Sequence, residues 1–157
     1  MPEALRGVIH HLFQNHQSLR RSVELTETGY KAKTTSDDPD LAKALQSHVA
    51  QMEARFDEGL SVRRWDPAFV QFREHYQALD TKIENIQGGV SVEVIGSTPA
   101  SIKVAQNHAK IISGFVQHGP EKMHATHPTV PDPEKPKASP GHPRPLRKAI
   151  PRPGSLR

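Results

Sequence analysis

Cysteine is absent from this sequence of 157 residues, which removes disulfides, thiolate-held zinc, iron–sulfur clusters, thiol catalysis and covalently attached c-type haem at one stroke. Long apolar runs are missing as well. No stretch approaches the roughly 20 residues that span a bilayer, and Met1-Pro2-Glu3-Ala4-Leu5 has no basic segment leading into an apolar one. The chain therefore reads as soluble, without a membrane span. Apolar residues make up only 34% of it, little for one compact domain of this length. Nor is there a Gly-rich phosphate loop, a Gly-x-Ser-x-Gly elbow or a His-Glu-x-x-His. The Glu-x-x-His pairs of di-iron bundles are missing from the helical stretches.

The apolar deficit is local. Ten of the fourteen prolines lie from Pro120 onward. Residues 1–119 carry 13 Lys/Arg against 14 Asp/Glu, whereas residues 120–157 carry 8 against 3. The basic character thus belongs to the tail and the remainder is near neutral, which argues against a nucleic-acid-binding domain. Runs such as Pro140-Gly141-His142-Pro143-Arg144-Pro145 bury no core. They predict a disordered, basic tail over 120–157, available to a protein partner.

Within residues 1–119 the hydrophobic period repeats. Leu5, Ile9, Leu12, Phe13, His16 and Leu19 fit one helical stripe, after which Val23, Leu25, Tyr30 and Ala32 alternate about Gly29 as a hairpin. Ser36-Asp37-Asp38-Pro39 supplies a cap and a first-turn proline, and Leu41, Leu45, Val49, Met52 and Phe56 mark the next helix until Gly59. Phe69, Phe72, His75, Tyr76 and Leu79 begin the same order again. Ile83 to Val94 flank Gly88-Gly89, and Thr98-Pro99 opens a fourth helix with Ile102, Ala105, His108, Ile112 and Phe115, ending at Gly119. His16 pairs with His75 and Gly29 with Gly88 at a spacing of 59; Pro39–Pro99, His48–His108 and Gly59–Gly119 pair at 60. An internal duplication follows. The expected fold class is α+β, an α-β-β-α unit present twice (about 5–59 and 68–119) and packed about a pseudo-twofold axis. Its two β-hairpins either stay separate or join in one four-stranded antiparallel sheet.

Four histidines, His16, His48, His75 and His108, each lie on the apolar stripe of a different helix. At about 1.5 Å per residue they stand roughly 9–15 Å from the hairpin ends, which predicts a single layer. Buried imidazoles close together cannot all be protonated, and neutral imidazole is a common metal ligand. Met52 lies one turn beyond His48, so a thioether joins the set and points to copper, with zinc the choice of nitrogens alone. Two of the histidines could instead clasp a b-type haem, with Phe13, Phe56, Phe72 and Phe115 as walls. The bland reading is a hydrogen-bonded histidine core.

Other residues read as ordinary. His10 and His11 suit the surface, and His118, His124 and His127 go with the tail, where adventitious metal uptake is the expectation. Asp37 and Asp38 suit helix capping, and Arg20, Arg21, Arg63 and Arg64 with Trp65 suit a solvated surface with one stacking contact.

The motifs His16-Gln17-Ser18-Leu19-Arg20, Ser36-Asp37-Asp38-Pro39, Leu45-Gln46-Ser47-His48-Val49 and Trp65-Asp66-Pro67 resemble a group of small bacterial proteins of unassigned function, many of them exported and built from two such halves. The second half departs from their pattern with Gly96-Ser97-Thr98-Pro99. The resemblance implies a cell-envelope location, periplasmic or secreted, and with it a leader missing from the sequence as written. The expectation for function is a metal-binding carrier, sensor or accessory factor using His16, His48, His75, His108 and Met52. The alternatives are an interaction module or a haem b protein; no nucleophile or carboxylate pair points to catalysis.

Overall fold

The computed structural model describes residues 3–131; of the disordered tail expected over 120–157, the part from 132 onward lies outside them. Four helices, α1 (Glu3–Gln14), α2 (Pro39–Asp57), α3 (Pro67–His75) and α4 (Pro99–His118), alternate with four strands, β1 (Arg20–Thr26), β2 (Gly29–Thr35), β3 (Leu79–Ile86) and β4 (Gly89–Gly96). The order is α-β-β-α, twice. Both hairpins join one antiparallel sheet, ordered β1-β2-β4-β3. None of the helices is long and apolar enough to cross a membrane.

Register exposes the symmetry. Gly29 faces Ile95, Ala32 faces Val92 and Thr35 faces Gly89 across the central pair of strands. A shift of 60 residues carries this set onto itself, with Ala32 and Val92 exchanging places. The pseudo-twofold axis therefore passes between those two residues. Side-chain bonds obey the same shift. Gln46 Nε2 donates to Ile86 O and Gly89 O, while Gln106 Nε2 donates to Thr26 O and Gly29 O. Each long helix thus clamps the hairpin of the other repeat.

The sequence pairing of His16 with His75 and Gly29 with Gly88 is off by one. Short 3-10 turns occupy His16–Ser18 and Tyr76–Ala78, so the counterpart of His16 is Tyr76. The hairpin closing Thr26 on Gly29 likewise matches the one closing Ile86 on Gly89. The spacing is thus 60 throughout, and the change from 59 to 60 disappears. A shared side-chain type is a weaker guide to register than a shared hydrogen-bonded turn.

Alternation decides the faces. Tyr30, Ala32, Thr34, Val90 and Val94 are buried under the helices. On the other face Glu24, Lys31, Glu93 and Lys82 stand opposite one another in a single cross-strand row. Charge alternates along that row, which stabilises each pairing modestly and suits a face turned to water. Proline-led caps start the helices: Asp38 accepts from Asp40 N at 2.9 Å, Asp66 from Ala68 N at 3.2 Å, and Thr98 forms a reciprocal capping box with Ser101. That is the capping role expected for Asp38. Gly59 closes α2 with φ of 80°, a conformation that favours glycine.

The two long helices meet the sheet differently. α4 presents Ala100, Ser101, Ala105 and Ala109, all 0% exposed, and its first turn lies so close to Gly96 that a Cβ there would strike Ile102 N and Ser101 Oγ. α2 presents the larger Leu41 and Leu45 at the matching steps.

Packing also continues past Gly119, the expected domain end. A 3-10 turn spans Gly119–Lys122, and the chain beyond it is strapped onto α3 and α4. Arg63 donates to Met123 O and Ala125 O at 2.7 and 2.6 Å, Gln71 exchanges two bonds with Val130, and Asn107 holds Pro128 O.

Candidate functional site

Where α2 and α4 straddle the axis, they and the neighbouring elements leave a cavity of about 210 Å³ above the sheet. Its walls are mainly apolar, with Leu12, Val49, Phe72, Val92, Ile112 and Phe115 among them. His48 and His108 face it from opposite sides of the axis, and His16 and Met52 also line it. The one histidine of the predicted four that does not is His75, at the end of α3. The shared interior point is therefore reached by the pseudo-equivalent pair, while the layer of four is incomplete.

The three lining imidazoles are held differently. His16 Nδ1 donates to Val116 O at 2.7 Å, and its ring lies against Gly119, where any Cβ would collide with it. Its first task is thus to satisfy a carbonyl in the last turn of α4. His108 is clasped by aromatics, stacked on Phe72 at 4.0 Å between ring centres and edge-on to Phe69 at 5.3 Å. Burial pushes its pKa down to about 3, with the Arg21 charge adding and Asp66 partly opposing. His48 has no such clasp. Its Nδ1 is buried without a hydrogen-bond partner, and burial pushes its pKa down to about 4. Both of these rings are neutral at ordinary pH. Yet no group of three or more His, Asp or Glu among the described residues stands close enough to hold a metal ion.

Two features escaped the sequence reading. Arg21, taken as surface, lines the cavity. Strand alternation carried the signal, because the period that pairs Val23 with buried Ala32 pairs Arg21 with buried Thr34 on the same face of the sheet. Arg20 points the other way and pairs with Asp37 outside. Burial lowers the Arg21 pKa, and Tyr30 close by opposes this; burial pushes the Tyr30 hydroxyl up to about 12.

The second is Asp66, which is fully buried. Besides capping α3 it accepts from His127 N at 2.9 Å and His127 Nδ1 at 2.7 Å, and from Arg63 at 3.3 Å. Burial alone would raise its carboxyl, but the bonds from His127 and Ala68 outweigh it and hold the pKa low. His127 is thus a structural latch for the strap rather than a loose tail ligand. His10 and His11 are exposed, as expected, and His118 and His124 are exposed too. Trp65 is half exposed and stacks under Arg63 at 4.2 Å, but Arg63 does not stand on the solvated surface expected there: its side chain is largely buried and also lies over Phe69 and Phe115.

Comparison with protein-family models, with curated proteins and with solved structures returned no match.

Proposed function

We propose that this protein is a small-ligand-binding module, acting as a carrier, sensor or accessory factor, with its site in the cavity between the repeats. One observation carries the reading: His48 lines that space with its Nδ1 buried and unpartnered. A polar atom left so costs roughly 1–3 kcal/mol, and a ligand that hydrogen-bonds it recovers the loss. Apolar walls with a few polar groups are the usual make-up of such sites. The test is a toluene titration of the full chain, followed by NMR. The Val92 and Ile112 methyl signals should shift, and Val49→Phe, which fills the space, should abolish the shifts. Unmoved methyls in the wild type at saturating toluene would overturn the reading.

A transition metal is the second reading, favoured by the same free nitrogen. Two neutral imidazoles and the Met52 thioether are a soft set suited to copper before zinc. The part-buried Arg21 cation on the same wall works against any metal ion. Titration with Cu(I) and Zn(II) against a chelator tests it. His48→Ala and His108→Ala should each lose metal and lower stability only in the loaded protein; a wild type that takes up neither ion ends this reading. Haem b is harder to accommodate, since about 210 Å³ falls below the roughly 300–1,000 Å³ of sites for much smaller drug-sized ligands.

A further inference from the structure

Arg21 reaches the cavity from the edge strand β1, and its guanidinium is held in place. Nε donates to Ser113 Oγ at 3.0 Å, Nη1 to Thr34 Oγ1 at 3.0 Å and Nη2 to Ala109 O at 3.4 Å. Every one of these acceptors is neutral. Among the described residues no carboxylate lies within the 4.0 Å of an ion pair with it. A guanidinium has one donor on Nε and a pair on each Nη, so both terminal nitrogens keep a free N–H. Two such N–H groups, one on each terminal nitrogen, can grip a carboxylate bidentately. A part-buried cation lacking a counter-ion is costly to the fold, and its charge helps to keep His108 neutral.

We propose that the cavity takes a compact apolar monocarboxylate, its head on the two free N–H groups of Arg21 and its hydrocarbon body against Val92, Ile112 and Phe115. The inference rests on the cavity being the binding site, and it names the ligand class. The fixed charge selects an anion, and the apolar wall selects a hydrocarbon body, which inorganic phosphate lacks. Volume limits the size: a cavity of about 150 Å³ holds benzene, so about 210 Å³ suits a single-ring acid or a chain of up to about eight carbons. Glu53 sets the direction. It lines the cavity too, and the shift of 60 that relates the repeats makes it the counterpart of Ser113, across the axis from Arg21. A carboxylate is therefore repelled from that end and bound in one orientation.

Isothermal titration calorimetry of the full chain with octanoate, 1-octanol and inorganic phosphate tests this. Octanoate should bind at least about tenfold tighter than octanol, the scale of one charge-assisted pair, and phosphate should not bind. Equal affinity for octanoate and octanol would overturn the role of Arg21 while leaving the cavity reading intact. Phosphate binding as tightly as octanoate would also overturn it. If octanoate fails and toluene still binds, the ligand class falls alone; if toluene fails as well, the binding reading falls with it. Arg21→Met should equalise octanoate and octanol. Should that variant not fold, the guanidinium proton signals of wild-type Arg21 serve instead, shifting with octanoate and not with octanol. Octanoate that binds without moving them refutes the proposal.

Discussion

The first repeat puts a cation on the cavity wall and the second does not, since Arg21 stands where the second repeat has Thr81. Its holder Ser113 stands where the first repeat has Glu53. Most of the shared architecture survived duplication: Gln46 and Gln106 clamp opposite hairpins, His48 and His108 face one space, and Gly59 and Gly119 end matching helices. Symmetry thus built a shared shell about the axis. Divergence at a few wall positions then gave that shell a positive side and a negative side. Two copies of one unit supply a cavity, and the departures between them supply a direction.

The largest break in the symmetry is structural. Asp66 latches the strap in the second repeat, while the residue at its place in the first repeat is Arg6, which is exposed. Asp66→Ala would leave the Arg63 guanidinium and the His127 imidazole without their carboxylate, a loss of about 4 kcal/mol. Arg6→Ala should stay within about 0.5 kcal/mol of wild type. Urea melts of the two variants measure the contrast, and limited proteolysis should cut the Asp66→Ala variant between residues 119 and 131 first. Similar losses in both would mean that the strap is not anchored at Asp66.

Where the repeats agree, paired substitutions should agree. A Cβ on Gly29 would run into Val94 O, and one on Gly89 into Thr34 O. Both clashes are with backbone inside the central ladder, so neither can relax by turning a side chain. Gly29→Ala and Gly89→Ala should each cost about 3 kcal/mol, by thermal melts, and within error of one another. Unequal losses would show the sheet to be less symmetric than its register.

A pH titration compares the two interior histidines. Their folded pKa values, about 4 for His48 and about 3 for His108, lie below the 6.5 of an unfolded chain. The unfolded state therefore binds more protons below that pH, so stability is complete above about 6.5. It declines through the window down to about 4 for one ring and about 3 for the other. The slope reaches about 1.4 kcal/mol per pH unit for each ring. His48→Gln and His108→Gln should each remove about half of it between pH 6.5 and 4; an unchanged slope would place the acid sensitivity elsewhere.

Much of the fold was legible because it rests on local rules. The switch from helical to alternating period, the Asp-Pro and Thr-Pro helix starts and the glycine stops are all short-range signals, and they located both repeats. Whether the hairpins joined was not readable, since the pairing of Ala32 with Val92 is a contact between repeats. Of the site, His48 and His108 were legible from their common distance to a proline. His75 was included because it matched His16 in type, while the structural match of His16 is Tyr76. Arg21 was hidden by Arg20 beside it, since a pair of arginines reads as a wetted surface unless strand alternation is pressed residue by residue. Asp66 and His127 lie 61 positions apart, beyond any periodic signal, and the proline-rich composition disguised the latch as tail.

The smallest expected effect separates two ways of starting the same helix. Asp38 caps α2 through one bond to Asp40 N and carries a negative charge, whereas Thr98 caps α4 through a neutral box that also engages Ser101. Either residue changed to Ala should cost about 1 kcal/mol. The losses differ in origin, because part of the Asp38 contribution is the attraction of a carboxylate to the positive end of the helix dipole, roughly 0.3–1 kcal/mol and screened by salt. In high salt the cost of Asp38→Ala should therefore shrink by a few tenths of a kcal/mol while that of Thr98→Ala holds. Chemical denaturation with urea, which adds no ions of its own, is the measurement to use. Equal salt dependence would mean that Asp38 acts through its hydrogen bond alone, and that the two repeats begin their long helices by the same physics.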